Sequence, residues 1–297
     1  STGGDKNLIF RSTVTSASVL GPTLRINKAY GSSVVGSYVQ GSTAVLVSGS
    51  SGTVLSANYL GGVGALGHGV GVNEGSVGLS MSSNTLTGGL GGLLIGLGNT
   101  GRFIISTNTF QNAARYGLLV EAQGAGAEVW ITSNTILPPF GNGVDDVIGV
   151  WLHALTTGGT VQNNLIAFRT PGTSAPQAAV GILARLSSGL MIDHNRISAP
   201  GTITGGEMEG IRLSATTDSQ VLFNDILVSG AGLTGGYGLN VKLTSTGAQF
   251  KNNAISFSAG GSGGLTTATV RMDNTSMPGF QADYNILFSS NSTNSSI

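Results

Sequence analysis

Apolar positions along the chain come in short alternating runs, not in helical stripes. One kind of run ends a few residues before a recurrent Asn, as in VLSANYL, IISTNTF, WITSNTI, MIDHNRI and VLFNDI. The Asn falls at 58, 84, 108, 134, 164, 195, 224, 253 and 285, at intervals of 24 to 32 residues. About 14 to 17 residues earlier sits a second run, usually Gly followed by alternating apolar residues, as in Gly117-Leu-Leu-Val, Gly149-Val-Trp-Leu, Gly181-Ile-Leu-Ala and Gly210-Ile-Arg-Leu. Thr23, Ala44 and Thr269 fill that slot without Gly. Period-2 alternation signals strands. A repeat of this length signals a solenoid whose units bury their apolar face only by stacking.

Each unit therefore holds three short strands: one after the Gly, one before the Asn and one after it. The loop back to the next Gly carries most of the length variation. With Ser37 and Thr13 in the Asn slot of two degenerate early units, ten to eleven coils are expected. At about 4.8 Å per coil they make a rod of roughly 50 Å. Ile105, Ile131, Val161, Ile192, Val221 and Phe250 are expected to form one inward column, and Val120, Leu152, Ala184, Leu213 and Val241 another. The Asn side chain donates, accepts and tolerates a left-handed turn. Stacked on neighbouring coils, the amides can bond one another at a corner, so these residues read as structural.

The pattern Gly-Ile-x-Val … Val-x-x-Asn-x-Ile, clearest from Gly117 to Ile286, resembles the right-handed parallel β-helix repeat family, the pectin-lyase-like superfold. That resemblance implies an all-β, single-stranded parallel β-helix over residues 1–288, with 289–297 as a polar tail. It does not imply one activity, because the superfold hosts lyases, hydrolases, tailspikes, sugar-binding modules and adhesins.

Composition narrows the classes. Thirteen basic and thirteen acidic residues give a net charge of zero, with only 9% charged residues in all. Such balance supplies no long-range attraction for nucleic acid. No uninterrupted apolar stretch is long enough for membrane insertion. With no Cys, neither a disulfide nor a thiolate metal site is available. The opening STGGDKNLIF lacks the basic and apolar regions of a signal peptide, and neither end reads as a capping helix. The composition resembles that of very long bacterial surface proteins built from β-helix repeats, so a piece of a longer extracellular or cell-surface protein is the expectation.

Candidate chemistry concentrates on the strand after the Gly, where sugar-cleaving relatives carry their groove. One outward column reads Arg25, Leu46, Gly71, Leu94, Leu119, Trp151, Leu183, Arg212, Asn240 and Arg271. The next includes Glu121, His153, Arg185, Ser214 and Lys242. Arg115, Asp145, Asp146, Arg169, Glu207 and Glu209 are placed on nearby loops. Trp151 would stack on a sugar, with the charged groups binding hydroxyls or uronates. Alternatively, loops cover the apolar stripe, and Glu121, His153 and Arg185 form a cross-strand charge ladder.

Asp145–Asp146 is the best carboxylate pair for glycoside hydrolysis, which needs two such groups. It resembles the adjacent Asp pair of polygalacturonases, but the Asn-x-Asp, Gly-His-Gly and Arg-Ile-Lys motifs around that pair are missing. The acidic cluster of pectate lyases is missing too. No catalytic residue, cofactor or metal is therefore assigned. If Ca²⁺ binds, Asp145, Asp146, Glu207 and Glu209 offer the oxygens. His68 and His194 read as turn residues. The expected function is a non-catalytic structural or adhesive segment contacting polysaccharide or neighbouring copies. A polysaccharide-active enzyme or carbohydrate-binding module around Trp151 and His153 is the alternative.

Overall fold

The computed structural model describes residues 6–18, 20–137, 146–168, 178–199, 206–230, 233, 235–259, 266–289 and 295–296. Three parallel sheets of eleven strands each wind together as a solenoid. The first sheet gathers the strands before the ladder Asn, from Leu8–Phe10 to Gln281–Asp283. The second gathers those after it, from Thr13–Thr15 to Ile286–Ser289, and the third those at the Gly run, from Pro22–Asn27 to Ser295–Ser296. Strand registers match both expected inward columns: Ile105 to Phe250 align rung by rung, as do Val120 to Val241. These side chains are fully buried or nearly so and belong to one continuous core.

The amide ladder runs unbroken from Asn58 to Asn285. Each Asn Nδ2 donates to the Oδ1 of the next coil's Asn at 2.9–3.1 Å. The backbone N–H of the same residue donates to that same oxygen at 2.9–3.1 Å. The other Nδ2 hydrogen reaches back to a carbonyl of the preceding coil, such as Asn195 to Val161 and Asn224 to Ile192. The eight from Asn58 to Asn253 are buried and have every donor satisfied.

Two details differ from the sequence reading. The left-handed residue is the one before the Asn: Ala57, Ser83, Thr107, Ser133, Asn163, His194, Phe223, Asn252 and Tyr284 take φ of 52–57°. The turn thus strains its outward residue and leaves the Asn free to point inward. The earliest slot belongs to Ser12, not Thr13. Ser12 N–H donates to Ser37 Oγ, and Ser37 N–H donates to Asn58 Oδ1. A second, weaker polar stack lies at the corner between third and first sheets, where Ser50 N–H donates to Ser76 Oγ and Ser76 N–H to Asn99 Oδ1. Its mixed Ser, Thr and Asn composition hides it from a search for one repeated residue.

The Gly column has a steric cause. A Cβ on Gly181 would lie 2.5 Å from the Gly210 carbonyl oxygen and 2.7 Å from Ile197 Cγ2. The same approach recurs at Gly117, Gly149, Gly210 and Gly238, each beneath an inward Ile of the second sheet. The third sheet bends at this corner, and only a bare α-carbon lets the two sheets meet there.

Two stability tests follow. Asn195→Leu removes one rung and strands the donors of Asn164, lowering stability by about 1–3 kcal/mol in urea unfolding. Gly181→Ala forces backbone displacement and costs about 1–3 kcal/mol. An unchanged unfolding midpoint in either variant contradicts the corresponding contact.

Candidate functional site

The outward columns on the third sheet align as the alternation predicts: Leu94, Leu119, Trp151, Leu183, Arg212, Asn240 and Arg271 occupy consecutive rungs. A further outward column lies just before the Gly corner: Gly91, Tyr116, Ile148, Val180, Glu209 and Tyr237. Glu207 and Glu209 are thus strand residues of Glu207–Ser214, not loop residues. The strand bends at its Gly, so the residue before the Gly faces outward again. That column could have been read from the sequence by resetting the alternation there.

Over the middle coils these columns form a small apolar cluster outside the main core. Tyr116, Leu119, Ile148, Val180 and Leu183 are buried, with Leu90, Leu94 and Trp151 packed against them. The stripe is therefore largely covered. Tyr116 reaches across Gly91, which has no side chain to block it, and its hydroxyl meets His68 Nε2 at 2.6 Å. His68 opens the strand His68–Asn73 and is no simple turn residue. Burial pushes the Tyr116 phenol up and the His68 imidazolium down, so both stay neutral near neutrality. His194 does sit at a turn, with Nδ1 2.7 Å from Asp193 and its ring stacked on Phe223.

Beyond the covered stripe the face opens into a cleft of about 400 Å³. Asp146, Trp151, Arg185, Arg212 and Lys242 line it together, joined by Arg115, Ile148, Leu183, Ser214 and Leu243. Arg212 is the anchored member. Its Nε and Nη2 each lie 2.6 Å from a Glu209 oxygen, and Nη1 lies 3.7 Å from Asp146. Glu209 is fully buried. Burial opposes the Arg212 charge, but the Glu209 hydrogen bonds and the Glu209 and Asp146 charges outweigh it and raise its pKa. Neither Arg185 nor Lys242 has an ion-pair partner among the described residues. Burial and then the Arg212 charge hold the Lys242 ammonium below the ordinary lysine range.

Trp151 carries Arg115 over its ring at 5.8 Å and stacks on His153 at 6.2 Å. Both Trp151 Nε1 and Arg115 Nε are buried donors with no acceptor. The wall is therefore rich in donors and cations, with Asp146 as the one lining carboxylate among the described residues. The expected charge ladder does not form: no ion pair joins Glu121, His153 and Arg185, and Glu121 stands away from the cleft lining. Glu207 is exposed, and its charge acts on Arg212 and Lys242. Asp145 and Arg169 lie outside the described residues. Among the described residues, no group of three or more His, Asp or Glu side chains could hold a metal ion.

The Glu209–Arg212 pair supports a clear expectation. Glu209→Ala leaves a mostly buried guanidinium without its main partner and destabilises by about 3–5 kcal/mol, whereas adding Arg212→Met restores much of that loss. Equal unfolding midpoints for the single variant and the wild type contradict the pairing.

Comparison with known proteins returns the same fold by sequence profile and by structure. Comparison with the sequences of characterised proteins finds no match. Among solved structures, an alginate lyase from Paenibacillus sp. str. FPU-7 superposes with a TM-score of 0.50 at 13% identity, covering 88% of this chain and 98% of the lyase. Tailspike protein 2 from the Escherichia coli O157:H7 bacteriophage CAB120 gives the same TM-score and identity over 86% of this chain and 37% of the tailspike. At such identity the likeness concerns the fold alone. The sequence profile described as a right-handed beta helix region matches residues 95–275, more than half the chain, and the protein belongs to that right-handed β-helix family.

Proposed function

We propose that this β-helix is a non-catalytic extracellular segment that adheres to anionic polysaccharide through the third-sheet cleft. The observation that carries the reading is the imbalance of the cleft wall. Among the described residues, Arg115, Arg185 and Lys242 face it without ion-pair partners, while Asp146, the one lining carboxylate, is engaged by Arg212. A neutral chain that concentrates unpaired cations beside a half-buried Trp presents a local anion site without a global field. Carboxylates repeated along a sugar chain supply the acceptors that Arg and Lys bind most strongly. The described residues present no pair of free carboxylates to the cleft, since Glu209 is buried in its bidentate contact. Among the described residues, acid–base hydrolysis by two carboxylates therefore lacks its second group.

One observation favours an enzyme instead. Lys242 lines the cleft and gives up its proton more readily than an ordinary lysine, the direction that a base for β-elimination from a uronate requires. Titration calorimetry with oligomers of alginate and of polygalacturonate, alongside an assay for unsaturated uronate products, separates the readings. Saturable binding without product supports adhesion, and product formation that Lys242→Ala abolishes supports the lyase. Binding of neither polymer overturns both.

The charge state sets the pH dependence. Loss of the Lys242 proton removes one cation, so affinity falls as pH rises, and the fall begins below the ordinary lysine value of 10.5. Arg185→Ala and Lys242→Ala each weaken binding about tenfold, corresponding to about 1.4 kcal/mol. Lys242→Arg keeps the affinity and removes the alkaline fall. A flat pH profile in the unsubstituted protein contradicts a role for Lys242.

A further inference from the structure

The first sheet carries a second aromatic feature on a different side of the rod. Trp130 is outward-facing and 37% exposed, on the strand Glu128–Thr132. The preceding coil covers one face of its ring, with the Arg102 guanidinium over it at 5.2 Å. Arg102 is in turn paired with Glu128, Nε to Oε2 at 3.4 Å. On the following coil the residue beside Trp130 is the short side chain of Thr160. Trp130 aligns with Thr160, so counting back two residues puts Gly158 in the column of Arg102 and Glu128. Gly158 (φ 81°) has no side chain to place there, and the next coil brings Gly189 (φ 61°).

The missing side chains leave a recess of about 190 Å³, lined by Glu128, Val129, Trp130, Thr157, Gly158 and Gly159. The Thr157 hydroxyl donates to the Ala127 carbonyl at 2.9 Å and fixes the turn that floors it. This volume lies below the roughly 300–1,000 Å³ of sites for drug-sized molecules and suits one ring. Trp130 lines it, and an indole packs against the apolar C–H face of a pyranose as it does against other flat apolar surfaces. Glu128 at the rim accepts hydrogen bonds from hydroxyls. The neighbouring guanidinium and carboxylate neutralise each other, so nothing here selects for a charged ligand.

We infer that the recess beside Trp130 is a binding site for a single hexopyranose unit of a neutral glycan, separate from the cation-lined cleft. It predicts a β-helix with two saccharide-contacting faces of different charge preference. The inference stands whether or not the third-sheet cleft binds anionic polymer.

Only two Trp residues exist, so two indole N–H resonances report the two faces independently. The probes are neutral glucan, mannan and galactan hexasaccharides, with an alginate hexasaccharide as the charged comparison, and Trp130→Phe assigns the signals. At least one neutral hexasaccharide should shift the Trp130 resonance saturably and leave Trp151 in place. Trp130→Ala should weaken that binding at least tenfold while keeping the wild-type melting curve. The inference is overturned if no neutral hexasaccharide shifts Trp130, or if Trp130→Ala binds the active one equally well. A Trp130 response to the alginate hexasaccharide alone would also overturn it. Failure of the cleft proposal would show separately, as a missing Trp151 or calorimetric response to alginate.

Discussion

A stacked carboxamide organises this molecule. At one corner of every central coil, a single Oδ1 accepts both the backbone and the side-chain N–H of the coil before it. The same side chain returns an Nδ2 hydrogen to a carbonyl of that preceding coil, as Asn224 does to Ile192. Strand ladders hold the flat faces of the solenoid but cannot follow the chain around a sharp bend. There, buried backbone groups need partners of another kind. Asn meets the need because its amide has the donor and acceptor geometry of a peptide group. The Gly column solves the complementary problem at the opposite bend, where the difficulty is space and not hydrogen bonding.

With both corners fixed, the register of every sheet is fixed, and so is the position of each outward side chain. The cleft follows from that regularity. Trp151, Leu183 and Arg212 stand on consecutive rungs because their strands align. The face changes from apolar to charged within one coil, where Val180 and Leu183 give way to Glu209 and Arg212. A protein with few charges thereby gathers several of them at a boundary between a covered stripe and an open groove. The recess at Trp130 arises by the reverse device, in which two glycines omit side chains from a column that otherwise carries them.

Much of this was legible in the residues themselves. Alternation and the Asn spacing gave the strand order, the inward columns and the outward register, since a period of two leaves little freedom once a corner is located. What stayed hidden depended on local geometry. The left-handed residue lies one position ahead of the amide, at Ala57 or Thr107, whose types do not advertise it. Glu209 read as a loop residue because the bend at Gly210 resets the alternation. The reach of Tyr116 to His68 depends on an absent side chain at Gly91, which no pairwise motif encodes. Arg185 and Lys242 were visible as outward cations, but that no described residue pairs with them depends on the three-dimensional arrangement.

Hydrogen exchange at the corner tests the central claim most directly. If the amides are stacked and buried, the backbone N–H groups of Asn108, Asn134, Asn164, Asn195 and Asn224 exchange as slowly as those of the adjoining core strands. Exchange of these groups within seconds, at the rate of open loops, would show that the corner is solvated and that something else holds the coils in register.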